Sequence, residues 1–399
     1  MKIRIWSRFL FALFLAFPLM FGAASCDRRS QSSDENAESS EEPNRDLSFN
    51  NITLEQSDDD GNLLWRMVAG KAVYSQDEQT AVIENPSGEF FQDDQATLKI
   101  QATRGEVRDD GDRIFLTGNV VATDVETGAI VRGDELEWRT GQEVVIVRNN
   151  IIGVHPDFTI AANRARVSIV DQRVEVNGNV AAISADEDLK LQGSEIVWLL
   201  EDDLLLSDRP IQIQQLDGDE VTGQAQGERA EFNLATEVAL LENNGRVVLK
   251  DPAMRLTGDS LQWDLVQNTI VASQPLRIIY REEEDETVTL RANQGNGNLN
   301  TQIFSIAGDA VITSQRNQSR LSANQIRWNV DTDDFVAEGN VVYRQTDPVA
   351  NLQGDRAEGQ LRSLQSERAE GQAGNRTRAR PIIVTGNQVV TEFIPESSN

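Results

Sequence analysis

From Leu47 onward apolar residues alternate with polar ones, and no stretch keeps a 3.6-residue period over three turns. A period of two predicts strands throughout, each with one face turned to a core. In "RVEVNGNVAAIS" Val174, Val176, Gly178, Val180 and Ala182 share one face, while Glu175, Asn177 and Asn179 take the other. Phe304, Ile306, Gly308, Ala310 and Ile312 repeat the arrangement. A glycine on the apolar face of a strand marks a bend, a bulge or a close backbone approach. "SFNNITLEQSDDDGNLLWRMVAG" reads as a hairpin that turns at Asp60 and Gly61 and carries Trp65 on its return strand.

The pattern recurs at long range. "GNV" at Gly118 and Gly178, "GRV" at Gly245 and "GDA" at Gly308 are followed by "GDELEW", "GSEIVW", "GDSLQW" and "ANQIRW", and a fifth opening "GNV" stands at Gly339. Glycine and tryptophan are twenty residues apart in three units and eighteen in the unit of Gly245. A fixed period marks stacked units that bury their apolar faces against neighbours. The closing strands also slip in phase: Leu189 and Leu191 are odd-numbered, whereas Ile196 and Trp198 are even. An extra residue at the same place in each unit bends the chain so that both halves face one interior.

In every unit the tryptophan follows an aliphatic residue at i, i+2: Leu136 with Trp138, Ile196 with Trp198, Leu261 with Trp263, Ile326 with Trp328. Together with Trp65 these are the candidate groove residues, and Gly118, Gly178, Gly245, Gly308 and Gly339 are the structural glycines. Such a stripe is either plain core or the wall of an apolar groove, and spacing alone leaves both open.

Charge narrows the partners. The 399 residues hold 37 Lys and Arg against 65 Asp and Glu, a net of −28. That field repels nucleic-acid phosphate, so no nucleic-acid partner is expected, and an anionic lipid must be held by its apolar chains. The first residues stand apart from the fold. Lys2, Arg4 and Arg8 precede an apolar run from Phe9 to Gly22, and small residues lead to Cys26, the single cysteine. This predicts a signal peptide over 1–25 and an extracytoplasmic body. Cys26 resembles the acylated cysteine of bacterial lipoproteins, with Ala23 where leucine is usual; an uncleaved helical anchor or an ordinary signal peptide are the other readings. Residues 26–46 are then a lipidated cysteine and a disordered acidic tether.

Catalytic chemistry is thin. With His155 as the one histidine and no cysteine beyond Cys26, thiol catalysis and His-rich metal sites are excluded, and His155 is expected in a solvent-facing loop. No catalytic residue, metal or cofactor is assigned. Asp58, Asp59 and Asp60 lack the spaced ligands of a calcium loop, and the basic cluster near Arg376–Arg380 reads as a solvated loop.

"LSFNNITLEQSDDDGNLLWRMVAGKAVYSQDEQTAVIENPSGEFF", "LKIQATRGEV" and "IFLTGNVVATD" resemble the LptC family of lipopolysaccharide-export proteins, and the later repeats resemble the related OstA-type fold of LptA and LptD. The resemblance implies an all-β, elongated antiparallel twisted β-jelly-roll, an open V-shaped taco with an apolar inner groove. It divides the chain into an LptC-like jelly roll over 47–200, continuing LptA/OstA-like repeats over 201–390 and a tail over 391–399. It implies a non-enzyme on the periplasmic side of the inner membrane. Such a protein accepts lipopolysaccharide from an ABC transporter with LptF/LptG-type permease subunits and passes it to an LptA-like or LptD-like jelly roll by edge-to-edge strand addition. A structural or adhesive β-repeat lipoprotein is the alternative; a polysaccharide-acting β-solenoid would repeat at about 20 to 25 residues. At about ten residues per strand and turn, the body is expected to form about 34 strands in two walls of about 80 Å.

Overall fold

In the computed structural model the described residues are 47–393, apart from 58–60, 76–79, 93–94, 284–285, 316–317, 347–348, 361–381 and 388. The expected signal peptide, Cys26, the expected tether, Asp58 to Asp60, Arg376 to Arg380 and the end of the tail lie outside them. The described residues form 28 antiparallel strands in one sheet and no α-helix; the only helical turns among them are Asp109–Gly111 and Thr140–Gln142.

The alternating pattern folds this sheet into two facing walls. Fourteen strands of 10 to 13 residues, such as Arg113–Asp124 and Ile130–Arg139, cross from one wall to the other. Fourteen shorter ones, seven to a wall, form the layers in which the crossing is made by a loop instead. Thr80–Glu84 and Ser87–Gln92, for example, pair side by side along the single strand Leu63–Ser75. The pairing gives 21 layers per wall, about 100 Å at the usual interstrand spacing. This exceeds the expected length, because a strand that crosses the fold line adds a layer to both walls.

In six of the fourteen crossing strands the crossing is made by a pair of left-handed residues. Gly118 (φ +75°) and Asn119 (φ +49°) fall between the register pairs Thr117–Glu135 and Val120–Gly133, so the ladder stops, turns and resumes. Gly178–Asn179, Gly308–Asp309 and Gly339–Asn340 do the same. In the unit of Gly245 the kink is Asn243–Asn244 (φ +56° and +67°), and Gly245 is the first residue beyond it. This accounts for the spacing of eighteen, since Asn243 stands twenty residues before Trp263 as the kink glycines do in the other units. Asparagine and aspartate tolerate the left-handed region better than other side chains, which is why they share the kinks with glycine.

Side chains hold the kinked strands to their neighbours along the fold line. The Asn150 amide donates to Asp134 (2.6 Å), Asn244 to Glu228 (2.8 Å), Asn293 to Asp309 (3.3 Å) and Asn340 to Asn324 (3.2 Å), each pair sixteen residues apart.

Candidate functional site

The space between the walls is the candidate site, and side-chain size grades it along its length. From Ile211 to Ala357 the inward positions carry Leu241, Leu256, Leu261, Ile278, Leu290, Phe304, Ile312, Leu321 and Phe335, all buried in one continuous cluster. A second cluster runs from Trp65 to Ile151. Between them lies a small cluster of three buried apolar residues, Ala162, Val180 and Ile196. The inward positions there include Gly153, Ala162 and Ala182 on one wall, and Ala165 beside Val174, Val176 and Trp198 on the other. Walls about 10 Å apart need large side chains to meet, and these do not. Ile160, Val176, Leu191 and Leu205 remain half-buried, beside an apolar hollow lined by Leu191, Ile196, Leu205, Ile211, Ile213 and Phe232.

The tryptophans stand near the lip of one wall and reach across the mouth. Trp138 meets Phe90 of the opposite wall edge-on (centroids 4.6 Å, 78°), Trp198 meets Phe158 (6.3 Å, 75°) and Trp328 meets Tyr280 (4.9 Å, 72°). Opposite Trp263 stands Gly223, where an added Cβ would lie 3.4 Å from the indole. Edge-to-face pairs add about 0.5–1.5 kcal/mol beyond the area they bury. Closure is uneven. Trp263 and Trp328 are 1% exposed, and their partners Leu261 and Ile326 are as deeply buried. Leu136 and Ile196, nearer the fold line, are 5% exposed, but Trp138 and Trp198 are half-buried. Trp65, on the other wall, is buried, and its indole donates to Gln56 Oε1 at 2.7 Å.

The indole N–H groups of Trp138, Trp198, Trp263 and Trp328 find no acceptor among the described residues, although each nitrogen is buried. A buried unpaired donor costs about 1–3 kcal/mol. Recurring at one place in each repeat, these four donors form a polar row along the interior. Sequence spacing marked the tryptophans but not this feature, because it depends on what stands opposite each of them.

Charged groups stay outside. Glu137, on the outer face, is buried between Arg148 Nη2 (2.5 Å) and Arg139 Nε (2.7 Å). The hydrogen bond from Arg148, followed by that from Arg139, holds its carboxyl below the usual carboxylate value against the opposing cost of burial. His155, expected in solvent, stacks on Phe158 at 5.0 Å and 24°, because the Phe158 ring at the lip offers it an apolar face. No group of three metal-ligating side chains occurs among the described residues.

Tyr343 sits in the closed half with its hydroxyl bonded to Gln345, and burial pushes its pKa up to about 12. The folded value lies above the ordinary one near 10, so folding favours the neutral phenol. The corresponding stability is fully present below pH 10 and is lost as pH rises from 10 to 12, by about 2–3 kcal/mol in all. Urea unfolding at pH 9 and pH 11.5 is expected to show this loss in the wild type and a smaller one in Tyr343→Phe.

No curated protein matches the chain. Among solved structures, the crystal structure of LptH from Pseudomonas aeruginosa, described as the LptA-homologous periplasmic component of the conserved lipopolysaccharide transport device, is similar at 12% identity. The match covers 35% of this chain and 77% of that one, with a TM-score of 0.18. The family model for lipopolysaccharide-assembly, LptC-related proteins matches residues 11–137 and 251–367, together more than half of the sequence, and the chain belongs to that family.

Proposed function

We propose that this protein is a membrane-tethered periplasmic component of lipopolysaccharide export that accepts the lipid from an inner-membrane ABC transporter and passes it along the interior toward the outer membrane. The role in lipopolysaccharide transport follows from the family; the groove as the track is supported by the stretch between Phe158 and Leu205, where inward apolar side chains such as Ile160, Val176, Leu191 and Leu205 stay half-buried. Acyl chains entering it gain about 0.8 kcal/mol per buried methylene without directional bonds, so they can slide. The unpaired indole N–H groups offer donors to the ester and amide carbonyls at the head of each chain. Binding and passage need no catalytic group, and the protein acts as a carrier rather than an enzyme. Cys26 is its lipid attachment point.

Both ends suit strand addition. Among the described residues Leu47–Ser57 pairs on one side only, and the last long strand, Val349–Gln360, is covered by two strands of three and four residues. Exposed strand edges accept a partner strand, so the LptF/LptG-type permease and an LptA-like or LptD-like jelly roll are assigned to these edges. The full burial of Trp263 and Trp328 favours a second reading, a structural or adhesive repeat protein with a closed core.

In-cell photocrosslinking separates the two. Light-activated residues at 138 and 198 are expected to give lipopolysaccharide adducts more strongly than residues at 263 and 328. A folded, membrane-localised protein with no adduct at any of the four positions would be a structural repeat protein. Ile196→Asp places a charge beside the hollow and is expected to stop transfer at least tenfold while the circular dichroism of the protein stays native. Full activity in that variant would remove the hollow from the track.

A further inference from the structure

On the outer face of one wall, four arginines converge. Ladder pairing places Gln226, Arg246, Thr257, Arg277 and Arg291 in one row across five neighbouring strands, with Arg255 one step away in the next row. Their faces are fixed by alternation, since Val247, Leu256, Ile278 and Leu290 between them are buried inward. Arg277 and Arg291 stand directly opposite one another, an arrangement that like charges make unfavourable.

Elsewhere arginines are neutralised. Arg229 is held by Asp208, Glu231 and Glu242, and Arg139 and Arg148 share Glu137. None of the four clustered arginines has a carboxylate within ion-pairing distance among the described residues, although the protein carries a net charge of −28. The Nε atoms of Arg246 and Arg255 are buried and have no hydrogen-bond acceptor.

The row borders a concavity of about 500 Å³ beside the fold line, lined by Arg246, Arg277 and Arg291 with Thr257, Asp259 and Pro275. The row leaves room at its centre because Thr257 is short where the flanking positions are arginine. Guanidinium groups from strands about 5 to 10 Å apart can reach one small anion above Thr257. Planar N–H forks match a tetrahedral oxyanion in a bidentate manner, and a charge-assisted bond would satisfy the donors left open.

We propose that Arg246, Arg255, Arg277 and Arg291 form a binding site for a phosphate monoester, outside the apolar interior. A phosphorylated glycolipid headgroup and free phosphate share that chemistry. The headgroup source would deepen the transport reading and rests on it; the phosphate site itself does not.

The test uses the full chain at constant ionic strength. Inorganic phosphate is titrated against thermal stability. In parallel, a phosphorylated di-glucosamine glycolipid and its dephosphorylated counterpart are titrated against tryptophan fluorescence. The variants are Arg277→Gln/Arg291→Gln, the charge-preserving Arg291→Lys, and Arg320→Gln as an exposed arginine on a distant strand. Phosphate is expected to bind the wild type and the Arg320 variant equally, to weaken at least tenfold in the double variant, and to weaken less in Arg291→Lys. A matching tenfold loss for the phosphorylated glycolipid alone identifies the headgroup as the source; an unchanged glycolipid identifies free phosphate. The proposal is overturned if phosphate does not bind the wild type, or if Arg320→Gln weakens it as much as the double variant. Should the double variant unfold by circular dichroism, Arg291→Lys decides: unaltered phosphate binding there overturns the site. Failure of both glycolipids to bind any variant counts against the groove and leaves the phosphate result standing.

Discussion

Trp328→Ala is expected to lower the unfolding free energy by about 3–5 kcal/mol, the largest effect of any substitution at the repeat tryptophans. The indole is 1% exposed and lies between Tyr280 of the opposite wall and Phe304 of its own. Both rings are held by strands whose pairing fixes the distance between the walls, so the space left by alanine cannot collapse. Trp328→Phe is expected to cost less than about 1.5 kcal/mol, because an aromatic is kept and the lost N–H had no acceptor. Trp198→Ala, at a half-buried site beside the hollow, is expected to cost about half as much as Trp328→Ala. Each layer contacts mainly its neighbours, so the loss in Trp328→Ala should appear in urea as an early transition of the C-terminal layers. Equal destabilisation at positions 198 and 328 would mean that the two halves of the interior are equally closed.

Gly339→Val is expected to destabilise the same region by about 2–4 kcal/mol. The residue sits at φ +76°, a conformation a β-branched side chain adopts only under strain. An added Cβ would lie 2.5 Å from Asn324 Nδ2, and that amide is itself bonded into the fold line, Asn340 donating to Asn324 Oδ1. Two controls separate the contributions. Gly128 has φ +73° but open space around it, so Gly128→Ala should carry the backbone strain alone, about 1 kcal/mol. Gly141 has open space and no positive φ, and its alanine variant should be neutral or slightly stabilising. Hydrogen exchange across Asp334–Thr346 and its neighbours would localise the Gly339→Val effect; an unchanged exchange pattern would show that the kink is not fixed by this residue.

The strands, the repeat and the existence of a bend in each unit could be read from the sequence, because they are set within a few residues. Alternation states which side chains share a face, and the glycine of "GNV" together with the phase slip before each tryptophan marks where the chain turns. The eighteen-residue spacing at Gly245 was also present in the sequence, yet only the backbone angles show that Asn243–Asn244 takes over the kink there.

What stands opposite what was decided by the tertiary structure. Trp138 and Trp328 occupy the same place in their repeats, yet one faces a mouth bordered by a half-open stretch and the other a filled core. The difference lies in the rings that meet each indole, Phe90 at Trp138 and Tyr280 with Phe304 at Trp328, and in the small residues Gly153, Ala162 and Ala182 further along the interior. The four arginines likewise are scattered over 45 residues and become one site only when four neighbouring strands align in register. By itself the sequence determined the period of the strands, because backbone sterics and local alternation act over two residues. Closure, hollowness and charge clustering were left to the fold, because those properties belong to pairs of surfaces that the chain brings together only when both walls are complete.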